Sequence, residues 1–207
     1  MIFVDKRSRL LGPAAFSDFY FRLHQKTCNP TNLFDASWSC HGAQYGDLLR
    51  WSHNILRSTK FVHVDSPLFI NFLDRLILLT PKQCQRVLCT AVLLSHREAF
   101  RHCIDGGKIR ALKTALGAEN VAAVLNSTSI QNVPSTTSDW HVNSLLAEAL
   151  SHVQRVCKGP RKTVFEYIKI ALPKQLPILQ SDYEEAAFEK ALQEVCHWDP
   201  GLIWLYG

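Results

Sequence analysis

Twice in a short span the chain marks the start of a helix by side-chain chemistry alone. Ser66 precedes Pro67, and Thr80 precedes Pro81, with Gln83 following. A hydroxyl at the N-cap accepts a hydrogen bond from one of the first free backbone N–H groups. A proline at the first helical position leaves no N–H orphaned, and its φ is already helical. In the second case Gln83 stands where its side chain can accept the N–H of the cap residue, completing a capping box. Apolar residues then recur at helical spacing. Leu68, Phe69, Phe72, Leu73, Leu76 and Ile77 share one face after the first start. After the second, Cys84, Val87, Leu88, Ala91, Val92, Ser95, Ala99 and Cys103 share another, which predicts one long amphipathic helix. Asp105-Gly106-Gly107 reads as its end, because glycine takes the left-handed C-cap conformation at little cost.

The same pattern extends in both directions. Leu48, Leu49, Ile55 and Leu56 make an earlier stripe. Ile109, Leu112 and Leu116 predict a short helix closed by Gly117, and Val121, Val124 and Leu125 predict another. Residues 126–138 are polar and hold Pro134, and read as an internal linker or mobile loop. Trp140 to Val156 predicts a helix stopped by Gly159-Pro160, and Val164 to Leu172 one stopped by Pro173 and Pro177. Ser181 with Glu184 is a further capping box, opening an acid-rich helix through Ala187, Phe188, Ala191, Leu192 and Val195. Asp199-Pro200 is expected to cap a last turn that buries Ile203, Trp204 and Leu205. The segment from Thr27 to Gly46 reads as irregular, pinned by Leu33, Phe34 and Trp38, and Phe16 to Leu23 suits a helix or a strand equally. No solenoid repeat and no strand–helix alternation is present. The expected fold is therefore all-α, an irregular multi-helix bundle over residues 1–207 as a single helical domain, with an extended N-terminal segment left open.

Composition narrows the function classes. The 207 residues are 47% hydrophobic, enough for a packed core without disulfides or a metal. The formal charge of +5 is spread among apolar residues with no Lys/Arg block, so no nucleic-acid partner is expected. Seven cysteines, an odd number at irregular spacing on apolar helix faces, suit a reducing compartment. The start offers no signal-peptide apolar region, and charges interrupt every apolar stretch too soon for a bilayer span. A cytoplasmic protein is expected, touching membranes only through partners.

Motifs of catalysis are missing together. Gly106-Gly107-Lys108 lacks the earlier glycine and the following Ser/Thr of a phosphate loop. The adjacent pairs Cys40-His41, His102-Cys103 and Cys196-His197 diverge by about 100° on a helix and do not have zinc-ligand spacing. No catalytic residue, metal or cofactor is expected, and the chain reads as a non-enzyme. The contrasting reading is a helical enzyme whose pocket assembles from His96, His102, Cys103 and His141. Charge suggests binding instead. Arg97, Arg101, Lys108, Arg110 and Lys113 form the candidate partner-binding set, while Asp182, Glu184, Glu185, Glu189 and Glu194 make the last long helix acidic. These are either solvated faces, mutually paired faces, or two docking surfaces of opposite sign. The tryptophans are expected in the core, Trp198 being partly exposed.

Three regions together resemble the SctK family (the OrgA- and YscK-like proteins), accessory proteins of the type III secretion sorting platform. They are Asn29-Pro30 with Leu33-Phe34-Asp35 and Trp38; Leu88 with Leu94 to Ile104, then Ile109 to Leu112 and Leu116 to Glu119; and Ile168 to Pro173 with the terminal helix. Phe34-Asp35 departs from the leucine and histidine of the family motif. The resemblance implies a helical adaptor at the cytosolic face of the inner membrane. Its partners would be the cytosolic domain of the ring protein SctD and the pod protein SctQ, which connects through SctL to the SctN ATPase. It carries over no catalytic or interface residue. The other reading within the same system is a regulatory or effector-handling binding protein.

Overall fold

One helix in this protein has almost no solvent side. A computed structural model describes residues 35–38, 72–128, 140–158, 161–177, 185–199 and 202. Among them lie eight α-helices: α1 (Phe72–Arg75), α2 (Pro81–Ser95), α3 (Arg97–Arg101), α4 (Gly106–Leu116), α5 (Ala118–Asn126), α6 (Val142–Val156), α7 (Lys162–Ile170) and α8 (Glu185–Trp198). Two short 3-10 turns, Ala36–Trp38 and Leu76–Leu78, complete the described elements, and no strand occurs among them. The fold is all-α. Every residue from Val87 to Arg97 is buried. Helix α2 is the centre of the bundle, with α8, α6, α5 and α4 packed around it.

The start of α2 follows the sequence expectation. The Thr80 side chain accepts the N–H of Gln83, and the Gln83 side chain accepts the N–H of Thr80 at 3.1 Å. The rest of the predicted long helix differs in two ways. First, the helix is not amphipathic over its length, because Cys89, Thr90, Leu93 and Leu94, off the predicted face, are as buried as the residues on it. Second, it breaks at His96, whose backbone (φ −101°, ψ 22°) leaves the helical region before α3 begins. The Ser95 hydroxyl donates to the Ala91 carbonyl at 2.8 Å, a bond that bends helices, and the His96 ring is drawn to Glu148 of α6.

Asp105-Gly106-Gly107 also plays the opposite part from the one expected. It opens α4 rather than ending the helix before it. The Asp105 carboxylate accepts the N–H of Gly107 at 2.9 Å and of Lys108 at 3.1 Å, as an N-cap does. Among the described residues the glycine in the left-handed region is Gly117, at φ +94°, which closes α4 as expected. On α4, Leu112 and Leu116 are buried and Ile109 is half-buried, so the helix rests on the bundle by a narrow stripe.

Trp140 is buried just ahead of α6, edge-on to Phe100 of α3 with ring centroids 5.3 Å apart. Trp198 is half-buried. Helix α7 packs on α6 and on the Leu76–Leu78 turn, and Arg161 at its N-cap donates to the buried Asp74 at 3.1 Å. Arg86 of α2 meets Asp199 beyond α8 at 2.5 Å, and Leu202 is buried just past it. The Ala36–Trp38 turn is fastened to the end of α7. Asp35 donates its N–H to the Ile170 carbonyl, Gln85 donates to the Asp35 carboxylate and the Ala171 carbonyl, and Ser37 accepts the N–H of Lys174. Thus the first and third regions of the family resemblance meet. The expected linker lies outside the described residues from 129 onward, its first residue, Asn126, being the last of α5. The stripes at 48–56 and 66–71, the capping box at Ser181 and the residues at 203–205 also lie outside them.

Because α2 is enclosed on all sides, a cavity in its middle cannot relax toward solvent. Leu93→Ala is expected to cost about 3 kcal/mol in denaturant unfolding. Lys82→Ala, at an exposed position of the first turn, should stay within about 0.5 kcal/mol of the parent.

Candidate functional site

The five candidate cations divide into two groups with different occupations. Arg97 is buried at 6% exposure, and its guanidinium bonds the Ser127 carbonyl and Glu98. Arg101, although exposed, donates to the Leu125 carbonyl at 2.6 and 3.1 Å and to Glu98 at 2.8 Å. The last carbonyls of a helix have no partners within it, and these two arginines supply them for α5. They are drawn from α3, so the short helix after the His96 break is a clamp on the end of α5. Ser127 adds a second tie, donating to Glu194 of α8 at 2.7 Å. Arg97 is one of the candidate docking cations; the structure turns it into the core, where a fixed charge is tolerated only with partners of this kind.

Lys108, Arg110 and Lys113 are different. All three lie on α4, with Arg110 and Lys113 exposed and Lys108 half-buried. The Asp105 carboxyl is held below its ordinary value, first by the N–H groups of Lys108 and Gly107 and then by the charges of Lys108 and Arg110. The candidate surface is therefore α4 itself. On the acidic side, Glu189 and Glu194 are half-buried on α8, Glu194 being engaged with Ser127, while Asp182 and Glu184 lie outside the described residues.

The residues of the contrasting enzymatic reading differ in exposure. His102 and His141 are exposed, Cys103 is half-buried, and His96 is in the core. There His96 belongs to a polar cluster that the sequence did not reveal. Its Nε2 donates to Glu148 Oε1 at 2.5 Å, and His152 Nε2 lies 3.7 Å from the same oxygen. Arg155 donates to His152 Nδ1 at 2.8 Å. A guanidinium can only donate, so Nδ1 accepts and the His152 N–H is on Nε2, facing the carboxylate. The ring of His152 stacks on Phe188 of α8 at 4.7 Å. Burial alone would raise the Glu148 carboxyl, but the imidazoles of His152 and His96 outweigh it and bring it to about 2. Charged and enclosed, Glu148 ties the α2–α3 break to α6. The signal available was its i, i+4 spacing to His152, but nothing local pointed to His96.

The described cysteines behave as small apolar residues. Cys84, Cys89, Cys157 and Cys196 are buried, and burial pushes the thiols of Cys157 and Cys196 up to about 12. Among the described residues no group of three or more His, Cys, Asp or Glu side chains could hold a metal ion, and no helix is long and apolar enough to cross a membrane.

Two outcomes follow from this division of labour. Arg97→Ala is expected to lower stability by about 2 kcal/mol, read by denaturant unfolding, since it strips a buried charge-assisted bond from the end of α5. Lys113→Ala should leave stability unchanged. For Glu148, a folded value near 2 lies below the ordinary 4.5. Its contribution is therefore complete above 4.5 and lost as pH falls toward 2. Glu148→Gln should flatten the fall of the thermal midpoint across that window, and Glu148→Ala should cost about 3 kcal/mol at neutral pH.

Comparison with known families places these features. The family described as YOP proteins translocation protein K (YscK) matches residues 63–175. The match spans α1 to α7 and more than half of the 207 residues. No curated protein and no solved structure matches. The chain belongs to the YscK family and is a type III secretion system protein.

Proposed function

We propose that this YscK-family protein is a non-enzymatic adaptor of the type III secretion sorting platform, joining the cytosolic domain of the inner-membrane ring protein (SctD) to the SctQ pods at the cytosolic face of the inner membrane. The family match over residues 63–175 carries the reading. The use of polar groups in the fold supports it. The buried arginine, histidines and glutamate are consumed in holding helices together, while uncommitted charge lies outside, on α4. Such a body suits positioning. A helix enclosed by its neighbours resists deformation, so two surfaces on it keep a fixed relation when each is bound. Contacts that are modest singly gain strength when repeated around a ring.

The test is affinity purification of the tagged protein from a strain that makes the secretion machine, read by mass spectrometry. The adaptor reading expects the ring protein and the pod protein together. Recovery of secreted proteins in their place would mark a regulatory or effector-handling protein. Recovery of neither component would refute the adaptor role.

A further inference from the structure

We infer that the exposed face of α4, with Ile104 in front of it, docks an acidic segment of a protein partner that also offers an apolar recess for one aliphatic side chain. This rests on the adaptor reading, because it gives the chemistry of one of the two contacts an adaptor must make.

The first observation is charge that enters no salt bridge among the described residues. Arg97 and Arg101 are spent on the carbonyls at the end of α5, whereas Lys108, Arg110 and Lys113 make no salt bridge to a described residue. The nearest carboxylate in sequence, Asp105, is turned to the backbone N–H groups of the first turn. The second observation is Ile104, a large apolar side chain 99% exposed. It stands just before the N-cap, the position from which an apolar residue ordinarily packs back on the fourth helical residue, here Ile109. Ile109 rests on the core, yet Ile104 stays in water. A lone exposed apolar residue needs no explanation; one beside a cationic helix face that enters no salt bridge with a described residue suits a mixed contact, with an apolar anchor and a charged rim. The third observation is bareness. Gly106, Gly107, Ala111 and Ala115 are exposed on the same helix, and a Cβ added at Gly106 would meet only the Arg110 guanidinium, at 3.8 Å. Small residues let another backbone come close.

These features favour a protein over a lipid surface. Basic clusters that hold anionic membranes carry about four to eight cations. Here three are flanked by exposed carboxylates at both ends of α4, Asp105 and Glu119. A flat layer of headgroups meets those carboxylates along with the cations. A folded partner can place acidic groups against the cations and leave the rest alone.

The experiment titrates the full-length protein separately with the recombinant SctD cytosolic domain and with recombinant SctQ from the same organism. It compares the parent, the reversal K108E/R110E/K113E, and Ile104→Asp, each checked for unchanged helical circular dichroism. Three exposed ion pairs turned repulsive, or one buried aliphatic anchor lost, each amount to about tenfold or more in affinity. Both variants are expected to weaken the same one of the two complexes by that factor and to spare the other. The affected parent complex should also weaken as salt is added, a readout that needs no variant. If both complexes survive both variants, the docking inference is overturned while the adaptor reading stands. If the parent binds neither partner, both fall. Binding of the parent to phosphatidylglycerol vesicles, abolished by the reversal while both protein complexes are unaffected, would assign the face to lipid and overturn the inference.

Discussion

A helix enclosed on every side leaves its polar residues no recourse to water, and much of this structure follows from that constraint. Between Val87 and Arg97 the chain buries Ser95, His96 and Arg97 along with its apolar residues, and also Thr90, whose hydroxyl oxygen makes no hydrogen bond to a described residue. An unsatisfied buried polar group costs more than a hydrogen bond returns. Ser95 therefore turns back on its own helix, His96 reaches Glu148, and Arg97 reaches the last turn of α5. The last two bonds each fix a neighbour, α6 through Glu148 and α5 through its carbonyls, and α6 in turn holds α8 through the stack of His152 on Phe188. The break at His96 belongs to the same account, since a straight helix would carry Arg97 onward along the axis of α2.

Local chemistry was legible in the sequence; long-range chemistry was not. The Thr80 capping box and the Gly117 stop depend on residues within one turn, and both are found as expected. Asp105-Gly106-Gly107 is local too, but its glycines suit a helix end while its aspartate suits a helix start, and only the direction of the Asp105 bonds decides between them. The single-face reading of α2 failed because a periodicity that fits one face does not exclude apolar residues on the others. The uninterrupted run from Val87 to Leu94, free of charge, was the available sign of all-round burial. For the candidate site, the positions of Lys108, Arg110 and Lys113 on one helix were legible. The reach of Arg97 and Arg101 to the end of α5 was not, because the carbonyls they meet lie 30 and 24 residues away, and every residue type carries a carbonyl.

Membership of the YscK family and the disposition of charge are independent observations. The family describes the helical body from α1 to α7, while the separation of charges into those that build the body and those left over is a property of this chain's own packing. The interior histidine–glutamate cluster ties the end of α2 to α6, while Lys108, Arg110 and Lys113 of α4 enter no salt bridge with a described residue.

The fastening of Ser37 to the backbone of Lys174 closes a stretch of 137 residues. Closing so long a loop is entropically costly and comes late in folding. During synthesis the segment around residue 37 leaves the ribosome long before its partner at the end of α7 exists. The contacts that residues 35–37 make here cannot form until α2 has presented Gln85 and α7 has been completed. The place of residues 35–37 in this structure thus depends on two helices that lie far along the chain, α2 and α7.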